Sequence, residues 1–111
     1  MQLAILILNK EELLDVLLEG LLEIGISGAT IIDSIGMGHI LSTEVPIFAG
    51  LKFMFTGSRP YNKTIFSAIM EDKVEHLKEM VEKTLGPLKE GGNGILLFLP
   101  LSDVVGLKSE I

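Results

Sequence analysis

Cysteine is absent from this chain of 111 residues. The protein therefore has neither a disulfide framework nor thiolate chemistry, which fits a reducing cytoplasm. A chain of this length is typical of one domain and can bury a core without covalent cross-links. We expect a single domain over residues 1–111.

Positive charge and long apolar runs are also scarce. Nine Lys and Arg stand against fifteen Asp and Glu, which gives a net charge of −6 at pH 7. Such a surface repels phosphate backbones, so we expect no nucleic-acid binding. The apolar run Leu3–Leu8 is too short to span a bilayer and lacks the basic start of a signal peptide. We expect a soluble, unprocessed, cytoplasmic protein with no membrane insertion.

The apolar pattern predicts six secondary-structure elements. These are strands over 3–8, 28–35, 63–70 and 94–100 and helices over 10–24 and 71–85. Their order, βαββαβ, predicts an α+β ferredoxin-like fold with two helices on one face of a four-stranded antiparallel sheet. Residues 39–63 have no sustained period, and we interpret them as a long loop.

Alternate residues of a strand point to opposite faces of the sheet, and in the first and last strands both of these sets are apolar. Two helices, however, cover only one face of such a sheet. Each large side chain left in water forfeits about 1.5–3 kcal/mol. We therefore expect other subunits to cover the open face. The two alternating sets are Leu3, Ile5, Ile7, Ile95, Leu97 and Leu99, and Ala4, Leu6, Leu8, Leu96 and Phe98.

Three segments of the chain are informative together: LLEIGISGATIIDSIGMG, TEVPIFAGLKFMF and GGNGILLFLPL. They resemble the nitrogen regulatory protein P-II superfamily of trimeric signal-transduction proteins. The first resembles the family's helix one, strand two and closing Gly-x-Gly, the second its long mobile loop, and the third its turn into the last strand. The resemblance covers nearly the whole chain. It implies a P-II-like homotrimer that acts as a regulator and not as an enzyme.

The resemblance also implies an adenine-nucleotide site between subunits, for ATP, ADP, AMP or a cyclic dinucleotide. Glycines at such a site let backbone N–H groups approach a phosphate closely. The implied ligand-binding residues are Thr30, Gly36, Met37, Gly38, His39, Gly91, Gly92, Asn93, Gly94 and Lys108. We expect no required cofactor and no metal.

The long loop at residues 39–63 is the segment through which the resemblance implies regulation of a target protein. Its aromatic residues would be buried when the target docks. The candidates are Phe48, Phe53, Phe55 and Tyr61. A hairpin packed back onto the oligomer explains the same residues equally well.

The chain departs from the P-II pattern at three places. Ile40 stands where the family has a glutamine that serves Mg and 2-oxoglutarate binding. The turn Gly91–Gly94 lacks the family's acid and lysine, and no tyrosine lies between His39 and Pro60. These departures argue against standard 2-oxoglutarate sensing and against uridylylation.

Two other interpretations stay open. If the glycines are ordinary turn residues, the chain is a ligand-free trimeric interaction scaffold. Alternatively, His39 with Asp33 or Glu44 holds a metal in a metal-responsive trimer of the same fold. A catalytic triad is not expected, because adjacent strand residues such as Asp33 and Ser34 point to opposite faces.

Overall fold

The computed structural model describes residues 1–37, 40 and 61–107. Within these ranges the chain forms four strands and two α-helices. They are β1 (Gln2–Leu8), α1 (Leu14–Glu23), β2 (Thr30–Ile35), β3 (Tyr61–Ile69), α2 (Val74–Leu85) and β4 (Ile95–Pro100). A 3₁₀ turn precedes each α-helix, at Glu11–Leu13 and Glu71–Lys73. Neither α-helix of this described part is long and apolar enough to cross a membrane.

The four strands form one sheet in the order β2-β3-β1-β4. Every neighbouring pair is antiparallel. β1 and β2 therefore run in the same direction with β3 inserted between them, which is the split βαβ arrangement. The predicted α+β class and antiparallel sheet are confirmed, and the strand order is compatible with a ferredoxin-like fold. β2 and β4 form the two edges.

The helices cover one face of the sheet and build the core there. The buried residues of α1 and α2 recur at a spacing of about four, which places them on one stripe of each helix. Leu8 of β1, Leu17 of α1 and Val81 of α2 are completely buried. The core residues are Ala4, Leu6, Leu8, Leu17, Leu21, Ile26, Ile65, Ile69, Leu77, Val81 and Leu85.

The opposite face of the sheet carries the second apolar set. Residues directly opposite each other in an antiparallel pair share a face, and β1 places Ile5 between Phe66 and Leu97. Ile95, Leu97 and Leu99 of this face are 51%, 45% and 46% exposed. The two alternations of β1 and β4 therefore divide as predicted, one against the helices and one on an open face.

A pair of leucines in α1 tests this assignment of the core. Leu17→Ala removes a completely buried side chain and should lower the free energy of unfolding by about 2–5 kcal/mol. Leu22→Ala, at a position 62% exposed in the same helix, should change it by less than about 0.5 kcal/mol. Urea unfolding at one fixed protein concentration measures both. Equal losses for the two variants would contradict the assignment.

Candidate functional site

The two glycine stretches lie at the same end of the sheet. Gly36 follows the last residue of β2, and Gly94 precedes the first residue of β4. Because β2 and β4 run in opposite directions, the end of one strand and the start of the other share one end of the sheet. This is the end of the sheet at which the sequence predicts the ligand.

The two stretches nevertheless lie on opposite edges of that end. β3 and β1 separate β2 from β4. Three strand spacings of about 4.8 Å place the two edges roughly 14 Å apart. The strands themselves therefore do not bring the two stretches together.

The turn before β4 requires glycine for reasons of its own backbone. Gly91 has φ 76° and ψ 160°, a region that only glycine readily adopts. Gly92 has φ 79°, and a Cβ added at either position would meet nothing within 4 Å. The outer side of this turn is thus open to solvent or to a ligand. Gly94 differs, because it is buried and a Cβ there would lie 3.0 Å from the Ile7 carbonyl oxygen.

Two asparagine side chains hold this turn in place. Asn93 Nδ2 donates to the Pro87 carbonyl oxygen at 2.7 Å, so its amide fixes the turn internally. Asn9 Nδ2, just beyond β1, donates to the Gly92 carbonyl oxygen at 3.3 Å. Asn9 belongs to no motif in the sequence, and only its position directly after an apolar strand could have indicated its role.

Gly36 and Met37 come directly after β2. The Ile40 N–H donates to the Gly36 carbonyl oxygen, four residues earlier, at 3.4 Å. The Met37 side chain is 73% exposed. Gly36 and Met37 therefore occupy the predicted end of the sheet, and Met37 presents an apolar surface there.

Thr30 lies at the other end of the same strand. It is the first residue of β2 and pairs with Phe66, which places it on the open face. Five residue steps of about 3.3 Å separate it from Ile35, roughly 17 Å in all. A ligand that contacts both Thr30 and Gly36 must be extended along β2, as a nucleotide can be.

Several predicted residues lie outside the described part of the chain. These are Gly38, His39, Phe48, Phe53, Phe55 and Lys108, together with Glu44 of the metal alternative. Tyr61, by contrast, is the first residue of β3 and is 54% exposed. Its placement in the predicted loop was wrong, because β3 begins two residues before the predicted strand.

Asp33 is paired with Lys63 across β2 and β3. The hydrogen bond that Lys63 donates to the Asp33 carboxylate raises the pKa of Lys63 above its ordinary value, and the nearby charge of Glu11 adds to this. A metal held by Asp33 would have to compete with this ion pair. Among residues 1–37, 40 and 61–107, no three His, Asp or Glu side chains converge as a metal site.

A small polar cluster occupies one corner of the open face. Ser34 Oγ donates to Asn62 Oδ1 and lies 2.8 Å from Thr64 Oγ1. Asn62 is only 7% exposed. Because these groups bond to one another, the corner can be covered by another surface without leaving a hydroxyl unpaired.

The contrast between two glycines tests the geometry of the turn. Gly94→Ala brings a methyl group against the Ile7 carbonyl oxygen in addition to straining a φ of 147°, whereas Gly106→Ala strains a φ of 91° in open space. We expect the first variant to lose about 1–3 kcal/mol more than the second in urea unfolding. Equal losses would show that the approach of Gly94 to β1 is not a constraint.

No family model matches this chain, and no curated protein matches it. The resemblance to P-II proteins therefore rests on the three sequence segments that carry it.

Proposed function

We propose that the chain is a P-II-like regulatory subunit. It forms a homotrimer that binds an adenine nucleotide, or a related small anion, between subunits, and it regulates a target protein through the segment 39–63. The observation that carries this proposal is the position of the two glycine stretches, at one end of the sheet but on opposite edges. Assembly through the open face would give each stretch of one chain a counterpart on its neighbour.

The size of the open apolar face supports assembly. Its four half-exposed side chains would each contribute about 1 kcal/mol on complete burial, about 4 kcal/mol per subunit. Association itself costs about 4–15 kcal/mol, so these four only reach the lower limit. The partly exposed members of the face have to contribute as well. The half-exposed residues are Ile32, Ile95, Leu97 and Leu99, and the partly exposed ones are Leu3, Ile5, Ile7 and Phe66.

The distribution of charge also supports assembly through this face. The strand residues that share the open face include no Asp, Glu, Lys or Arg. The acidic residues of α1 and α2 lie on the helical side, and Lys63 with Asp33 shares the face of Leu8. Copies of a chain with net charge −6 can therefore join at the sheet without bringing like charges together.

The open surroundings of Gly91 and Gly92 support a nucleotide at this end of the sheet. A phosphate can approach the backbone of the turn because no side chain lies within 4 Å of either Cβ position. N–H groups in such turns attract anions. The turn has no lysine of its own, so we expect weak binding, with a Kd of roughly micromolar to millimolar.

A ligand-free trimeric scaffold is the second candidate. The backbone angles of Gly91 and the hydrogen bond of Asn93 to Pro87 explain this turn without any ligand. The two candidates share the assembly and differ only in nucleotide binding. Binding experiments therefore separate them.

Calorimetry with ATP, ADP, AMP and cyclic di-AMP tests the nucleotide site. We expect at least one of them to bind the wild type and Gly92→Asn to weaken it by roughly tenfold or more, because the new side chain occupies the space a phosphate needs. Asparagine tolerates positive φ better than other side chains. Gly106→Asn is the matched control, with φ 91° and an equally open Cβ position. Absence of binding by the wild type would favour the scaffold.

A lysine at the centre of the open face tests the assembly. Leu97→Lys places a charge at a position 45% exposed, beside Ile5. The variant should fold and sediment as a monomer, because a buried unpaired charge in the interface is costly. Leu22→Lys, at a position 62% exposed on α1, should keep the assembly of the wild type. An unchanged sedimentation coefficient for Leu97→Lys would reject this face as the interface.

A further inference from the structure

A cavity of about 800 Å³ lies at the end of the sheet opposite the glycine stretches. Residues 25–28 after α1, residues 68–73 after the middle of β3, and Val104 with Leu107 beyond β4 form its walls. This volume falls within the range of about 300–1,000 Å³ that is usual for small-molecule sites. None of its lining residues belongs to the nucleotide site proposed above.

The walls of the cavity are held by hydrogen bonds of the folded chain. Ser67 Oγ donates to the Gly28 carbonyl oxygen at 2.6 Å, which ties the α1–β2 connection to β3. The Lys73 N–H donates to the Met70 carbonyl oxygen at 3.0 Å, which closes the turn before α2. Two of the three walls of the cavity are thus held in place by hydrogen bonds of the folded chain.

The interior of the cavity is apolar. Ile26 and Ile69 belong to the hydrophobic core and are 6% and 3% exposed. Val104 and Leu107 line the outer side, where Leu107 is 46% exposed. A ligand that fills the cavity must therefore present apolar groups to both sides, and covering Leu107 would be favourable.

Opposite charges stand at the rim of the cavity. Glu71, Asp72 and Lys73 are consecutive residues of a 3₁₀ turn, so their side chains leave it in three different directions. The Glu71 carboxylate lies beside the start of β1, where Gln2 Nε2 donates to it at 2.8 Å. Lys73 Nζ lies beside Gly25, just beyond the end of α1. The rim thus has a carboxylate on one side and an ammonium group on another.

We propose that this cavity binds a short zwitterionic peptide, of dipeptide size, with apolar side chains. The ammonium end of the peptide lies at Glu71 and Asp72, the carboxylate end at Lys73, and the side chains lie between Ile69 and Leu107. The volume is larger than a single amino acid fills, and Glu71 beside Gln2 and Lys73 beside Gly25 provide opposite charges for the two termini.

Calorimetry with leucyl-leucine and its two capped forms tests the assignment of the charges. N-acetyl-leucyl-leucine lacks the ammonium group, and leucyl-leucine amide lacks the carboxylate. We expect the uncapped peptide to bind the wild-type protein and each capped form to bind roughly ten- to a hundredfold more weakly, the loss expected for one charge-assisted hydrogen bond. Equal affinity of all three, or no binding of the uncapped peptide, would overturn the proposal.

Two variants with matched controls test the location. Lys73→Met should weaken leucyl-leucine and leave the affinity of its amide unchanged, whereas Lys78→Met, on the exposed face of α2, should change neither. Leu107→Asp should weaken both forms of the peptide because it charges the apolar wall. Val105→Asp, at a position 91% exposed and outside the lining, is its control. Full affinity in Leu107→Asp, or equal losses in Val105→Asp, would overturn the location.

Discussion

The register of β1 between β3 and β4 decides how this chain divides its apolar residues. A slip of one residue in a strand moves every side chain to the other face of the sheet. In the observed register Leu6 pairs with Ile65 and Leu96 under the helices, while Ile5 pairs with Phe66 and Leu97 on the open face. A slipped β1 would still present an apolar set to each face, because both of its alternations are apolar. The faces of the sheet are therefore set by β3 and not by β1. β3 places Ile65 and Ile69 towards the helices and Thr64 and Phe66 away from them.

The two faces of the sheet therefore have different properties. In the described part of the chain, the helical side carries the core and the acidic residues of α1 and α2. The open side carries an uncharged apolar face, and the polar groups of Ser34 and Asn62 at its corner are hydrogen-bonded to each other. The two ends of the sheet also differ in what they carry. One end holds the glycine turn and the exit of β2, and the other holds the cavity between the strand–helix connections. Assembly, anion binding and peptide binding can therefore use different parts of a small domain.

Periodicity alone was sufficient to predict all six elements and the two apolar alternations of β1 and β4, but it did not indicate which alternation faces the helices. The start of β3 was placed two residues too late because Asn62 is polar, although Asn62 is buried and accepts a side-chain hydrogen bond that composition does not reveal. The common end of the two glycine stretches follows from the βαββαβ order. Their positions on opposite edges depend on the insertion of β3 and β1 between β2 and β4, which no local pattern encodes. The cavity could not be predicted, because residues near 26, 70 and 105 have no sequence feature in common.

We propose that the open face of the sheet is an interface between copies of this chain. Sedimentation equilibrium of the wild type over a concentration series, from dilute to concentrated, measures this directly. We expect a mass of three chains that persists on dilution, because the proposed assembly buries the apolar face. A single chain mass at every concentration would contradict it, since Ile95, Leu97 and Leu99 would then remain in water and the two glycine stretches would have no neighbour to complete them.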